Sequence, residues 1–158
     1  MESDQAGGGE TRFEFKEIRM KKILVAIDVA RENGNDMIME TAQKIARADD
    51  GELFLLHVIE PIPRRVLLEL PKEALARRKT HADEEMGKLL AQYDCNNGIV
   101  REGPPSIEIL NYATEIKSDL IVVHSHDPEM ADYFIGSVAG RVVRRAHCSV
   151  HVVREGNK

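Results

Sequence analysis

Tryptophan is absent from the chain, and all aromatic residues together make up 4% of it. A core that cannot draw on large rings must be built from Ile, Leu, Val, Ala and Met. Cysteine is nearly missing too. The two present, Cys95 and Cys148, are far apart and form no CxxC pair. That pattern fits free thiols in a reducing compartment better than a disulfide framework or a redox motif. No apolar run approaches the roughly 20 residues that a membrane-spanning helix needs. The N-terminus lacks the charged, apolar and small-residue order of a signal peptide, which predicts a cytoplasmic protein. An excess of positive charge is also lacking. The formal net charge is -5, so no broad basic face for nucleic acid is expected.

What remains is enough for one domain. The 158 residues suffice for a single core and are too few for two ordinary ones. Residues 1–19 are polar and carry a Gly7-Gly8-Gly9 run. They read as a disordered leader. Residues 20–154 read as the domain, and 155–158 as a short tail.

From Lys21 the pattern becomes regular. Lys22-Ile23-Leu24-Val25-Ala26-Ile27-Asp28 is a near-continuous apolar run ending in a carboxylate, as expected of a strand covered on both faces. Asn33 to Asp36 is turn-rich, and Asn35 or Asp36 can cap a helix. Met37, Thr41, Ala42, Ile45 and Ala48 recur at helical spacing, with Gly51 as the stop signal. Leu53 to Ile59 is a second strand. Pro61 and Pro63 make the next stretch irregular. Leu75 to Tyr93 is a longer helix, ended by the Asn96-Asn97-Gly98 turn. Ile99 to Glu102 is a short strand, and Ile107 to Ile116 a third helix. Leu120 to Val123 is a fourth strand, Val138 to Ala146 a fourth helix, and Ser149 to Val153 a last strand. Strands and helices that alternate in this way predict an α/β fold. The expected form is an open, doubly wound, mostly parallel five-stranded sheet with helices on both faces.

In such a sheet, ligands bind beyond the carboxyl ends of the strands, where the strand order reverses. Asp28, Val58, Gly103 and the segment from His124 to Ala139 fall at those ends. The Asp28 carboxylate can accept from a sugar hydroxyl or a base amine, or it can serve as a loop acid. Gly136-Ser137-Val138-Ala139 opens a helix, whose free N–H groups and dipole favour phosphate; an ordinary Ser cap fits the same residues. His124, His126 and Asp127 lie close together, but a zinc site needs three or four convergent ligands. They read as loop residues, and no metal site is expected. His57, inside an apolar strand, reads as a satisfied core histidine. No Walker loop, Gly-x-Ser-x-Gly or His-Glu-x-x-His is present.

A family resemblance rests on particular segments: Lys22 to Asp28, Leu55-Leu56-His57-Val58-Ile59, Glu102-Gly103-Pro104-Pro105, and Ser118 to Val123. The most specific is the closing block from Ile135-Gly136-Ser137-Val138-Ala139-Gly140-Arg141 to Arg154. Through these the chain resembles the universal stress proteins from Lys21 to Arg154. The resemblance implies an adenine-nucleotide alpha-hydrolase-like fold and a regulatory module of the stress response that binds ATP or AMP. It implies no catalytic residue, although slow ATP hydrolysis is a further alternative. ATP-binding relatives carry Gly-x-x-Gly, a spacer, then Gly-Ser or Gly-Thr. Here Gly136-Ser137 is kept, while His124 and Asp127 stand where the leading glycines would be. Ser125-His126-Asp127-Pro128 resembles a branch with Ser-His-x-Pro in this loop.

Carried over, the resemblance implies that Ala26, Asp28 and Val58 surround the adenine and ribose, with Gly103 near the ribose. Gly136, Ser137, Val138 and Ala139 would hold phosphate, with His124 and Asp127 beside them. A carboxylate at Asp127 would repel phosphate unless Mg²⁺ intervenes. The last strand, Ser149 to Val153, is expected at a sheet edge, where its unpaired backbone groups favour a homodimer. A dimeric interaction module without nucleotide is the alternative.

Overall fold

The computed structural model describes residues 21–30, 35–125 and 135–154. The leader and the tail lie outside that range. Five strands form one sheet: β1 (Lys22–Ala26), β2 (Glu52–Ile59), β3 (Asn97–Glu102), β4 (Leu120–His124) and β5 (Ser149–Val153). Their spatial order is β3-β2-β1-β4-β5, and every pairing is parallel. The sheet is therefore wholly parallel.

Each crossover carries a helix: α1 (Asp36–Asp49), the one-turn α2 (Arg64–Leu67), α3 (Lys72–Gln92), α4 (Pro105–Ile116) and α5 (Ser137–Arg145). Parallel neighbours need such crossovers, and right-handed ones place helices by direction of travel. From β1 the chain winds outward through β2 to β3, then returns past β1 to β4 and β5. The helices accordingly divide between the faces. One core layer holds Ile38, Met39 and Ala42 of α1 with Ala82 and Met86 of α3. The other holds Ile109 and Ala113 of α4 with Ala139 and Val142 of α5.

β1 lies at the centre, and its Ile23, Leu24 and Val25 are fully buried. Alternate residues serve opposite layers, Ile23 and Val25 one and Leu24 the other. That explains why the run does not alternate in polarity. Burying each such side chain is worth about 1.5–3 kcal/mol relative to exposure.

Several element ends differ from the expectation. α1 ends on Asp50, which takes the left-handed conformation at φ 49°. Gly51 follows it, and its lack of a side chain serves close approach. A Cβ there would stand 2.9 Å from Ile23 Cδ1. α3 begins at Lys72, one turn before Leu75, and Pro71 precedes it. It is ended by the left-handed Asp94, with Cys95 N–H donating to the Leu90 carbonyl at 2.9 Å. The Asn96-Asn97-Gly98 segment therefore does not terminate the helix, because Asn97 and Gly98 already pair with Phe54 and Leu55 of β2. Polarity had marked these residues as a turn. The Asn97 amide instead donates to Glu52 at 2.8 Å and to the Leu53 carbonyl at 3.3 Å. Both cysteines are free thiols, and burial pushes the Cys95 thiol up.

Candidate functional site

A cavity of about 460 Å³ opens at the carboxyl edge of the sheet, in the size range of small-ligand pockets. Its place follows from the topology. β2 and β4 flank β1 on opposite sides, and their connections leave toward opposite faces, so the loops separate at the end of β1.

Three strand ends supply the floor. Ala26 and Asp28 come from β1 and its exit, Val58 from β2, and Val123 and His124 from β4. Helices supply the walls: Arg78, His81 and Ala82 from α3, Pro105 and Ile109 from α4, and Val138 from α5. The site thus spans both faces of the sheet.

The β1 exit is held by side chains rather than by the ladder. Ile27 N–H donates to the Leu56 carbonyl at 2.9 Å, the last strand-like bond. Asn35, only 3% exposed, then binds Asp28 twice. Its Oδ1 accepts from Asp28 N–H at 3.2 Å, and its Nδ2 donates to the Asp28 carbonyl at 2.8 Å. One Asp28 carboxylate oxygen accepts from Ala30 N–H at 3.0 Å. The carboxylate itself remains half exposed toward the cavity, at 52%. It is an oriented acceptor rather than a freely moving loop acid.

Of the residues named from sequence, Ala26, Asp28, Val58, His124 and Val138 come together around the cavity. Gly103, Gly136, Ser137 and Ala139 are not among its lining residues. Gly103 sits at the β3 exit with φ +151°, and its N–H donates to the Ile59 carbonyl at 3.1 Å. Gly136 is the N-cap of α5. Ser137 is exposed, and Ala139 is buried in the α4–α5 core layer. Asp127 lies outside the described residues, as does His126.

Four polar contributors were not assigned to the site from sequence. His57 was read as core; it is satisfied by the backbone as expected, yet it also lines the cavity. Arg78 and His81 are brought in by α3, with the Arg78 guanidinium donating to the Glu60 carbonyl at 3.0 Å. Glu60 also lines the cavity. The one-turn spacing of Arg78 and His81 was visible in the sequence, but any exposed helix face shows such spacing. Among the described residues no three His, Cys, Asp or Glu side chains converge as metal ligands.

The chemistry is therefore an apolar slot with polar groups at its margin. Ala26, Val58, Ile109 and Val123 can cover the faces of a flat ring. Asp28 can accept from a hydroxyl or amine. The Arg78 guanidinium favours an anionic ligand.

The sequence matches the Universal stress protein family over residues 20–154. A universal stress protein of Methanocaldococcus jannaschii is 30% identical over 155 residues, covering 87% of this chain and 84% of that one. Among solved structures, the universal stress protein UspA from Lactobacillus plantarum superposes with a TM-score of 0.69 at 24% identity, covering 86% of this chain and 99% of that one. A universal stress protein in complex with cAMP gives 0.59 at 20% identity, with coverages of 85% and 97%. One from Archaeoglobus fulgidus in complex with dAMP gives 0.55 at 19%, with coverages of 86% and 98%. These structural likenesses establish the shared fold. With the family match running across every described element of the sheet, the chain belongs to the universal stress protein family.

Proposed function

We propose that this protein is a regulatory module that binds an adenine nucleotide, AMP or ATP, in the cavity at the carboxyl edge of the sheet. The observation that carries this reading is the Asp28 carboxylate, held by Asn35 and Ala30 at the mouth of an apolar slot. An adenine ring would lie between Ala26 and Val58, and Asp28 would accept from the ribose or the base amine. The phosphate would run toward the N-terminus of α5, where Val138 lines the cavity and free N–H groups favour an anion. The neighbours with cAMP and dAMP support the choice of an adenine ligand.

Among the described residues lining the cavity, no serine, threonine or cysteine stands beside a base as an activated nucleophile would. Regulation through the bound nucleotide, rather than rapid turnover, is the reading that fits. Titration calorimetry with AMP, ADP and ATP tests it, together with extraction of nucleotide from the freshly purified protein. Binding that weakens about tenfold, ~1.4 kcal/mol, in Asp28→Ala is the expected result. No heat at millimolar ligand and an empty purified protein would overturn it.

The same module is proposed to work as a homodimer through β5. That strand is an edge of the sheet, bonded only to β4 among the described strands, and its Val150 and Val152 are half-buried. Should nucleotide be absent, this edge would favour the reading of a dimeric interaction module.

A further inference from the structure

His57 faces the layer of α1 and α3, as do Leu55 and Ile59 of the same strand. Its side chain is 13% exposed. Ring atom Nδ1 lies 3.3 Å from Val29 N–H and 3.3 Å from the Ile27 carbonyl oxygen. The two partners have opposite polarity, and one nitrogen can serve only one of them at a time. Without a proton, Nδ1 accepts from Val29. With a proton, it donates to Ile27, and Val29 N–H then confronts a second N–H. Between these residues in the chain stands Asp28, with its Oδ1 at 4.0 Å from the same nitrogen.

We infer that His57 is the positioning residue of the nucleotide site, keeping the Asp28 turn in its receptive form only while Nδ1 carries no proton, as in the neutral Nε2–H tautomer. Protonation has two consequences. Val29 loses the acceptor that pins the turn. A positive charge also arises next to the Asp28 carboxylate, drawing it into an ion pair and away from the ligand. Affinity for adenine nucleotide therefore falls as pH falls. The inference rests on the nucleotide reading of the cavity.

Other charged groups face the same space: Asp28 on the β1 exit, Glu60 just past β2, Arg78 and His81 on α3, and His124 on β4. Glu102 ends the neighbouring β3. His81 and His124 act in the opposite sense, since their protonation attracts a phosphate. The contribution of His57 must therefore be read as a ratio between wild type and variant at each pH.

AMP affinity is measured by calorimetry from about pH 5.5 to 8, the range in which histidine side chains ordinarily change charge. Wild type, His57→Asn and His57→Leu are compared. The Asn amide can replace Nδ1 toward either backbone partner and does not titrate. Wild-type affinity is expected to fall about fivefold or more relative to His57→Asn on acidification. His57→Leu, which offers no hydrogen bond, should bind about tenfold more weakly than His57→Asn throughout. A wild-type to His57→Asn ratio that stays constant with pH overturns the inference. So does a His57→Leu as tight as His57→Asn. In the ligand-free protein, the Val29 amide resonance should move with the titration of the His57 ring. If AMP binds at no pH, the nucleotide reading falls. The coupling of His57 to the turn is then decided by that amide alone, and a Val29 signal indifferent to the ring overturns it.

Discussion

Asn35 clasps the backbone of Asp28 from both sides, accepting from its N–H at 3.2 Å and donating to its carbonyl at 2.8 Å. The two residues are seven apart in sequence, at the exit of β1 and the entrance of α1. The buried amide satisfies two main-chain groups that neither strand nor helix can pair.

Replacing Asn35 by Ala removes both bonds at a buried site. A loss of about 1–3 kcal/mol is expected, read from urea unfolding. AMP affinity should fall with it, because the Asp28 carboxylate loses its fixed backbone. Full retention of stability would show that water replaces the amide without cost.

Gly103→Ala addresses the β3 exit. A Cβ there would stand 2.9 Å from Glu108 Cγ, at φ +151° where side chains are rarely tolerated. Glu108 in turn pairs with Arg101 at 3.6 Å. Destabilisation of about 1–3 kcal/mol is expected, measured by thermal or denaturant unfolding. If AMP binding in the folded variant weakens more than stability does, Gly103 approaches the ribose as well as shaping the turn.

Tyr93 donates its hydroxyl to Asp36. Burial, then the Asp36 hydrogen bond and charge, push the Tyr93 phenol up to about 12. A group raised in the folded state stabilises fully below its unfolded value, ~10, and loses that contribution as pH rises through the folded value. Unfolding free energy should therefore drop by about 1–2 kcal/mol between pH 10 and 12. In Tyr93→Phe that part of the slope should disappear, while Tyr112, also raised by burial, keeps its own. An identical alkaline slope in the two proteins would refute the assignment.

Val152→Pro tests the proposed dimer. Proline removes a backbone donor and is poorly tolerated in a paired strand. Within the sheet, Val152 stands opposite Val123. Sedimentation at tens of micromolar should give a dimer for wild type and monomer for the variant, once circular dichroism shows that the variant is folded. A monomeric wild type would exclude the β5 interface.

Much of the fold was legible because its signals are local. The unbroken apolarity of Ile23 to Val25 announced a strand covered on both faces, and alternating strand and helix patterns announced a parallel sheet. Helix ends were less legible. Asp50 and Asp94, rather than Gly51 and Gly98, adopt the left-handed conformation. The glycines are needed instead for contacts with Ile23 and Leu90, and such contacts have no sequence signature. The site divides in the same way. Asp28, Val58 and Val138 follow from strand and helix ends, which patterning locates.

By itself, then, the sequence determined the order of the strands and of the longer helices, though not the one-turn α2 in the stretch read as irregular. It also determined a first strand buried on both faces, the family and the carboxyl-edge location expected for the candidate site. These depend on periodicity and on short motifs, which a linear chain displays. Tertiary structure alone decided that His57 grips the Asp28 turn from β2. It also decided that Arg78 and His81 reach the cavity from α3, and that the glycines and serine at Gly103, Gly136 and Ser137 stand apart from its lining. Those relations join residues separated by tens of positions. Their distances are set by how helices pack across a twisted sheet, not by any propensity of the residues involved.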